Sequence, residues 1–242
     1  MIIKNMFFIC FSFFYFTLQS VYSAPLTRTA TIQSHGKVVG HITKTINTNT
    51  PITTTHIQIF SPRQKLTFER TVETHNLQIL RIKTINHEYQ KTAHVEKIGN
   101  DYFISHNKQH NDRKKLETSQ LELISTDSLG KFLKTHWNEI IQKKEIQIST
   151  ISIPQEQIMV LNIKYEGKKQ QKGKTYIGMK ITPDSFIMQT MMQTLGIESH
   201  IYLDPDSKLI MMSTGPTFNI PGHNPADQLP EISTQIIWNH AH

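Results

Sequence analysis

The chain has 242 residues, a formal charge of +7 and a single cysteine, with 37% hydrophobic residues. That length supports one domain with a core of its own, while one cysteine excludes an intramolecular disulfide. The basic balance favours contact with anionic surfaces, phospholipid headgroups or other envelope polymers among them, although a solvated basic surface without such a partner accounts for it as well.

Residues 1–23 read as a secretory signal peptide. Lys4 supplies the positive start, and residues 6–18 form an apolar run broken only by Ser12 and Thr17. Val21 and Ser23 then stand at −3 and −1 of a cut before Ala24. A cut one residue later would put Pro25 at +1. The run falls short of the about 18 apolar residues a membrane span needs, which sets cleavage ahead of the alternative, an uncleaved anchor. The expected protein is exported, to the bacterial periplasm or beyond, and its charge is then no argument for nucleic acid. Cys10 lies inside the run, so the mature chain would hold no thiol nucleophile and no thiolate metal site. Absence of both disulfides and Asn-x-Ser/Thr sequons leans towards a bacterial source.

From Ala24 onward the pattern alternates with a period of two. Residues 29–34 and 38–45 read as strands joined at His35-Gly36-Lys37. Residues 52–60 are Thr-rich and β-prone. Ser61-Pro62-Arg63-Gln64 leads into a strand at 66–73, and His75-Asn76 into another at 77–85. Residues 92–98 and 102–105 make a hairpin around Gly99-Asn100. Residues 106–115 are polar and read as a loop, and 116–124 as the strand before the helix. Recurrence every 10 to 14 residues with turn signals between is the spacing of an antiparallel meander or barrel.

The helix is at residues 128–143. Leu129, Phe132, Leu133, Trp137, Ile140 and Ile141 form one apolar stripe at helical spacing, with Asp127 or Ser128 placed to cap the first turn. An amphipathic helix among strands must bury its face against a sheet. Beyond it, 145–153 and 158–165 read as strands, 166–174 as a lysine-rich hairpin loop, and 175–182 as a strand. Pro183-Asp184-Ser185 looks like the start of a second short helix stopped by Gly196, with a strand the alternative there. Residues 199–203 and 208–214 form a hairpin around Asp204-Pro205-Asp206-Ser207. From 219, Pro221, Pro225 and Pro230 suggest extended chain with little core of its own. The expectation is mainly β: a curved antiparallel sheet or open barrel wrapped around one amphipathic helix, in a single domain at 24–218 with an extended tail at 219–242.

Two short motifs carry a resemblance. Phe132-Leu133-Lys134-Thr135-His136-Trp137-Asn138-Glu139-Ile140-Ile141 is followed by Ile146-Gln147-Ile148, and later by Ile201-Tyr202-Leu203-Asp204-Pro205-Asp206-Ser207-Lys208-Leu209. Together they resemble an uncharacterised family of exported bacterial proteins, a domain of unknown function. Its members carry a Phe-x-x-x-x-Trp helix, a β-hairpin, and a strand entering an Asp-containing turn before a Leu-rich strand. The resemblance implies a curved or barrel-like antiparallel sheet folded around a helix, similar to the scaffold of lipoprotein and lipid carriers of the bacterial envelope. It implies no catalytic residues. The segment 166–174 and the proline-containing tail fall outside the family pattern.

Thirteen histidines invite a metal, but the closest spacings, His106/His110 and His240/His242, lie in a polar loop and at the last residues. A catalytic zinc site needs three ligands on rigid elements, so no metal and no cofactor is expected. The late methionines, Met159, Met179, Met188, Met191, Met192, Met211 and Met212, read first as adaptable core filler. Their second reading is a deformable lining for a lipid or other hydrophobic ligand, and their third is soft ligation of copper(I). Lys164, Lys168, Lys169, Lys172 and Lys174 make the densest charge patch. It reads as a solvated hairpin tip, or as a contact worth about 1 kcal/mol per lysine with an anionic surface. Arg113-Lys114-Lys115 would join it if the two loops shared an end. Asp204 and Asp206, with Pro205 between them, read as a turn rather than a calcium site. No nucleophile elbow, zinc helix or phosphate loop is present.

The leading expectation is a non-enzymatic envelope protein binding a lipid-like ligand, or a partner protein, between sheet and helix. The residues expected there are Phe132, Trp137, Ile141, Met188, Met191, Met192 and Met211. The alternatives are a hydrolase of an envelope polymer and an assembly factor that pairs through sheet edges. An apolar slot lined by the methionines would favour carriage, and a polar cleft with His near Asp or Glu would favour chemistry.

Overall fold

Alternating Thr and Ile side chains give the strands their two faces, and those strands make up most of the fold. The structure, a computed structural model, describes residues 24–49, 51–107, 113–117, 123–153, 155–171, 173–186, 189–190, 198–217 and 231–239. The expected signal peptide, Met188, Met191, Met192, Lys172, His110, His240, His242 and most of the expected second helix lie outside the described residues.

The first half is a meander of eight strands: β1 (Leu26–Ser34), β2 (Lys37–Asn49), β3 (Ile52–Phe60), β4 (Leu66–His75), β5 (Gln78–Asn86), β6 (Lys91–Ile98), β7 (Asp101–His106) and β8 (Lys114–Leu116). Each pairs antiparallel with the one before it. The β1–β2 turn needs two left-handed residues, His35 at φ 47° and Gly36 at φ 74°, which is the twist that suits a two-residue hairpin. Asn76 and Leu77 turn β4 into β5 in the same way, at φ 47° and 72°. Leucine is a costly residue there, but its side chain is buried in the core beneath the helix.

The second half runs through β9 (Glu145–Ser152), β10 (Gln157–Gln171), β11 (Lys174–Pro183), β12 (Ser199–Leu203), β13 (Ile210–Thr217) and β14 (Glu231–Trp238). The fourteen described strands form one antiparallel sheet, ordered β8-β7-β6-β5-β4-β3-β2-β1-β14-β13-β12-β11-β10-β9. The expected extended tail therefore contains a strand at the middle of the sheet. β14 joins the halves, with Ala30 opposite Trp238 and Met212 opposite Ile237, and Ile236 and Trp238 pack on the core of β1–β4.

The sheet curls until its outer strands face one another. Val72, Ile79, Ile82, Val95, Ile104 and Leu116 from β4–β8 share a core cluster with Ile151 of β9. Between the edges runs the segment at 123–124, where Ile124 N–H donates to Ser149 O at 2.9 Å and Ile124 bridges to Gln78. Glu156, in the β9–β10 turn, accepts from His106 at 3.0 Å and from Lys114 at 3.2 Å. The barrel is open along this seam, since β8 and β9 are the ends of the hydrogen-bonded order.

The helix differs in detail from the sequence expectation. A 3-10 turn at Thr126–Ser128 precedes it, so the cap is Ser125, whose Oγ accepts from Asp127 N–H at 3.2 Å. Ser128 makes no side-chain cap bond. The helix then runs as α1 (Leu129–Thr135) and α2 (Trp137–Lys143), broken at His136 with φ −96° and ψ 19°. The ladder survives the break, because His136 N–H still reaches Phe132 O and Ile140 N–H reaches His136 O. Leu129, Phe132, Leu133 and Ile140 are buried against Ile148, Ile163, Ile177, Met179, Ile201 and Leu203 of β9–β12. Trp137 is partly buried on the same core, with Lys208 Nζ 4.7 Å from its ring centroid.

The lysine-rich loop expected at 166–174 is largely strand. β10 and β11 continue in register to Gln171 opposite Lys174, past a bulge at Tyr165/Gly167. Gly167 (φ 85°) and Gly173 (φ 73°) serve the bulge and the tight turn, so neither marks a long loop. Asp204 sits in the turn between β12 and β13, where its Oδ1 accepts from Asp206 N–H, Ser207 N–H and Ser207 Oγ–H. Three local donors on one carboxylate oxygen make this a side-chain-stabilised turn.

Candidate functional site

A left-handed Lys144 (φ 64°) ends α2 and turns the chain straight into β9, so helix and strand lie side by side. A cleft of about 540 Å³ opens between them, lined by Phe132, His136, Glu139, Lys143, Glu145, Ile146, Gln147 and Asn162. The four helical residues fall at i, i+4, i+7 and i+11, a single stripe beside the core-facing one. Gln147 of β9 and Asn162 of β10 are register partners. Gln147 Nε2 donates to Asn162 Oδ1 at 2.8 Å, and Asn162 Nδ2 donates to Asp184 Oδ1 at 3.0 Å.

Six of the eight residues that line the cleft are polar or charged, and Phe132 and Ile146 are its apolar members. Phe132 is 4% exposed, and its ring stacks on His136 at 4.4 Å between centroids. His136 Nδ1 lies 3.2 Å from Glu139 Oε2, and Lys143 Nζ donates to Glu139 Oε1 at 2.7 Å. Lys143 first and His136 second hold the Glu139 carboxyl below the usual range. None of the lining residues carries a hydroxyl or thiol, so serine- or cysteine-type chemistry has no nucleophile there, while His136, Glu139 and Glu145 are groups that can act as a base toward water.

Of the side chains singled out from sequence, Phe132 reaches the cleft. Trp137 packs on the Lys208 side of the helix, Ile141 is partly buried outside the lining, and Met211 is partly buried on β13. Met179 is fully buried beneath the helix, and no methionine among the described residues lines the cleft. Lys168 and Lys174 are exposed, while Lys169 lies 3.5 Å from Glu166. Lys114 pairs with Glu156 and Lys115 with Asp101. Glu156 precedes β10, while Lys168 lies among its last residues and Lys174 opens β11 beyond it, so the two basic groups sit at opposite ends of that strand.

Sequence reasoning missed His136, Glu139, Lys143, Glu145, Ile146, Gln147 and Asn162 as lining residues. The helical stripe through Phe132 was a readable signal for the first three. The strand residues had none, because the β9–β10 register fixes which polar side chains face the helix.

No family model matches this chain, and no curated protein matches it. Among solved structures it is similar to a beta-barrel-like protein of domain of unknown function DUF1849 from Brucella abortus. The likeness covers 89% of this chain and 95% of that one, at 8% identity and a TM-score of 0.40. The fold assignment, mainly β with one large curved antiparallel sheet that does not close and short helical segments, stands on the strand order and register themselves.

Proposed function

We propose that this is a non-enzymatic, exported protein that binds an amphipathic ligand in the cleft between α1–α2 and β9–β10. The observation that carries the reading is the mixed lining: Phe132 and Ile146 are apolar, while His136, Glu139, Lys143, Glu145, Gln147 and Asn162 are polar or charged. A lipid-like molecule with a polar head meets both requirements, and clefts of this size suit small ligands. The exposed Lys168 and Lys174 would then help to hold the protein at an anionic membrane surface.

Native mass spectrometry with lipid extraction of the purified protein tests the reading. The expected result is a co-purifying amphiphile, or stoichiometric uptake from a lipid panel, weakened about tenfold by Ile146→Glu. A clean apo mass with no uptake would overturn it.

Among the described residues the cleft is not the methionine-lined apolar slot expected of a carrier. Its polar lining, with His136 Nδ1 3.2 Å from Glu139 Oε2, favours a second reading, a hydrolase of an envelope polymer with His136 activating water. Turnover of envelope glycan fragments that is lost in His136→Ala would support it. Absence of turnover by the unaltered protein would end it.

A further inference from the structure

Away from the cleft, the inner face of β1–β4 carries an unusual row. Arg28 of β1 stands opposite Lys44 of β2, Lys44 opposite Ile57 of β3, and Ile57 opposite Arg70 of β4. Registered partners share a face, and the residues two positions away, Ala30, Ile42, Phe68 and Val72, are buried core. Three cations therefore point inward between apolar neighbours.

Their side chains converge. Arg28 Cζ lies 5.2 Å and Lys44 Nζ 6.0 Å from the centroid of the Trp238 ring. Lys44 Nζ donates to the Asp127 carbonyl at 2.6 Å, and Arg70 Nε lies 3.1 Å from Asp127 Oδ2. Asp127 is the one carboxylate of the cluster among the described residues, and its Oδ2 also accepts from Ser125 Oγ. Three positive charges thus face one negative charge, with Lys44 and Arg70 largely buried and Arg28 partly so. Burial, with Arg28 and Arg70 adding to it, pulls the Lys44 ammonium below its ordinary range against the opposing pull of Asp127. Arg28 donates through Nη2 to Ile210 O at 3.0 Å, while its Nε is shut off from solvent with no acceptor. Arg70 Nε is equally shut off, and its N–H is not aimed at the nearby Asp127 oxygen.

Buried cations in excess of their counter-charges are costly unless an anion joins them. We infer that the Arg28–Lys44–Arg70 cluster is an oxyanion-binding site for a phosphate or carboxylate group. The two guanidinium forks supply directional donors, the ammonium supplies charge, and Trp238 holds Arg28 and Lys44 in place through cation–π contact. Arg28, the partly exposed member near the start of β1, is the side from which the anion arrives. The inference stands apart from the helix–strand cleft, which shares none of these residues.

The test is tryptophan fluorescence of the full chain carrying Trp137→Phe, so that Trp238 alone reports. It is titrated with inorganic phosphate, dodecyl phosphate and the neutral dodecyl maltoside. Saturable quenching by a phosphate species, weakened at least about tenfold in Arg28→Gln and partly restored in Arg28→Lys, is the expected result. Equal affinity for the two phosphates identifies a free anion as the ligand, and preference for dodecyl phosphate identifies a headgroup. Either supports the site. No response to either phosphate, a response equal to that of the maltoside, or an unchanged affinity in Arg28→Gln overturns it. Should Arg28→Gln fail to fold, the comparison of phosphates with maltoside still decides.

Discussion

Leu133 is fully buried where the helix meets the sheet, and truncating it leaves a void that the rigid strands β9–β12 cannot collapse to fill. Leu133→Ala is expected to cost about 2–5 kcal/mol, read by denaturant unfolding. Tyr102 fills the seam cluster, and its hydroxyl donates to Ile79 O at 3.0 Å. Burial pushes its phenol up to about 12, so ultraviolet titration should place its ionisation well above that of exposed tyrosines. Tyr102→Phe would leave the Ile79 carbonyl without that donor and lower stability by about 1 kcal/mol. At this scale the apolar stripe 129–141 was legible because a helix buries what repeats at its own period. The inward cations were not read, although Arg28, Ala30 and Ile32 share one parity and Phe68, Arg70 and Val72 another. A charged residue on a core-facing position normally argues against that face, and only the curled sheet shows what they converge on.

Among elements, the pairing of β12 with β13 depends on one close approach. Gly215 lies at φ +133°, and a Cβ there would fall 2.7 Å from Ser199 Oγ and 3.0 Å from Ser199 Cα. Gly215→Ala is expected to lose about 1–3 kcal/mol from combined strain and clash. A change within about 0.5 kcal/mol, the range of an ordinary surface substitution, would contradict that account. The strand at 52–60 was legible to the residue because β-branched alternation is bounded by Pro51 and the Ser61-Pro62 turn. β14 was not, because Pro221, Pro225 and Pro230 dominated the reading of the tail, although Ile232, Thr234, Ile236 and Trp238 alternate behind them. β10 and β11 were cut short because lysine and glutamine read as loop, whereas a strand tolerates both on a solvated face.

For the whole molecule, the seam between β7–β8 and the β9–β10 turn is held by polar contacts as well as by core. Lys114, and less strongly His106, hold the Glu156 carboxyl below its ordinary range against the opposing effect of burial. A carboxyl depressed on folding stabilises the fold above its unfolded value and loses that contribution as pH falls through its folded one. Protection of β7 and β9 amides relative to their intrinsic exchange rates should therefore fall in acid, below about pH 4. Glu156→Gln should remove this step while raising seam exchange at neutral pH. An acid step that survives in Glu156→Gln would show that the seam is held otherwise. Architecture was legible at this scale and closure was not, since the distance between the sheet's edges depends on twist accumulated over many strands.

The insertion of β14 between β1 and β13 also dictates an order of events. Neighbouring hairpins of the first eight strands can zip up locally as the polypeptide emerges, but the two halves share no ladder until residues 231–238 arrive. Pairing of residues near 32 with those near 236 closes a loop of roughly 200 positions, the kind of late, long-range step that slows β proteins. Until that clasp forms, the backbone edges of β1 and β13 stay open to other chains, so a holding chaperone during synthesis would protect this protein most at those two strands.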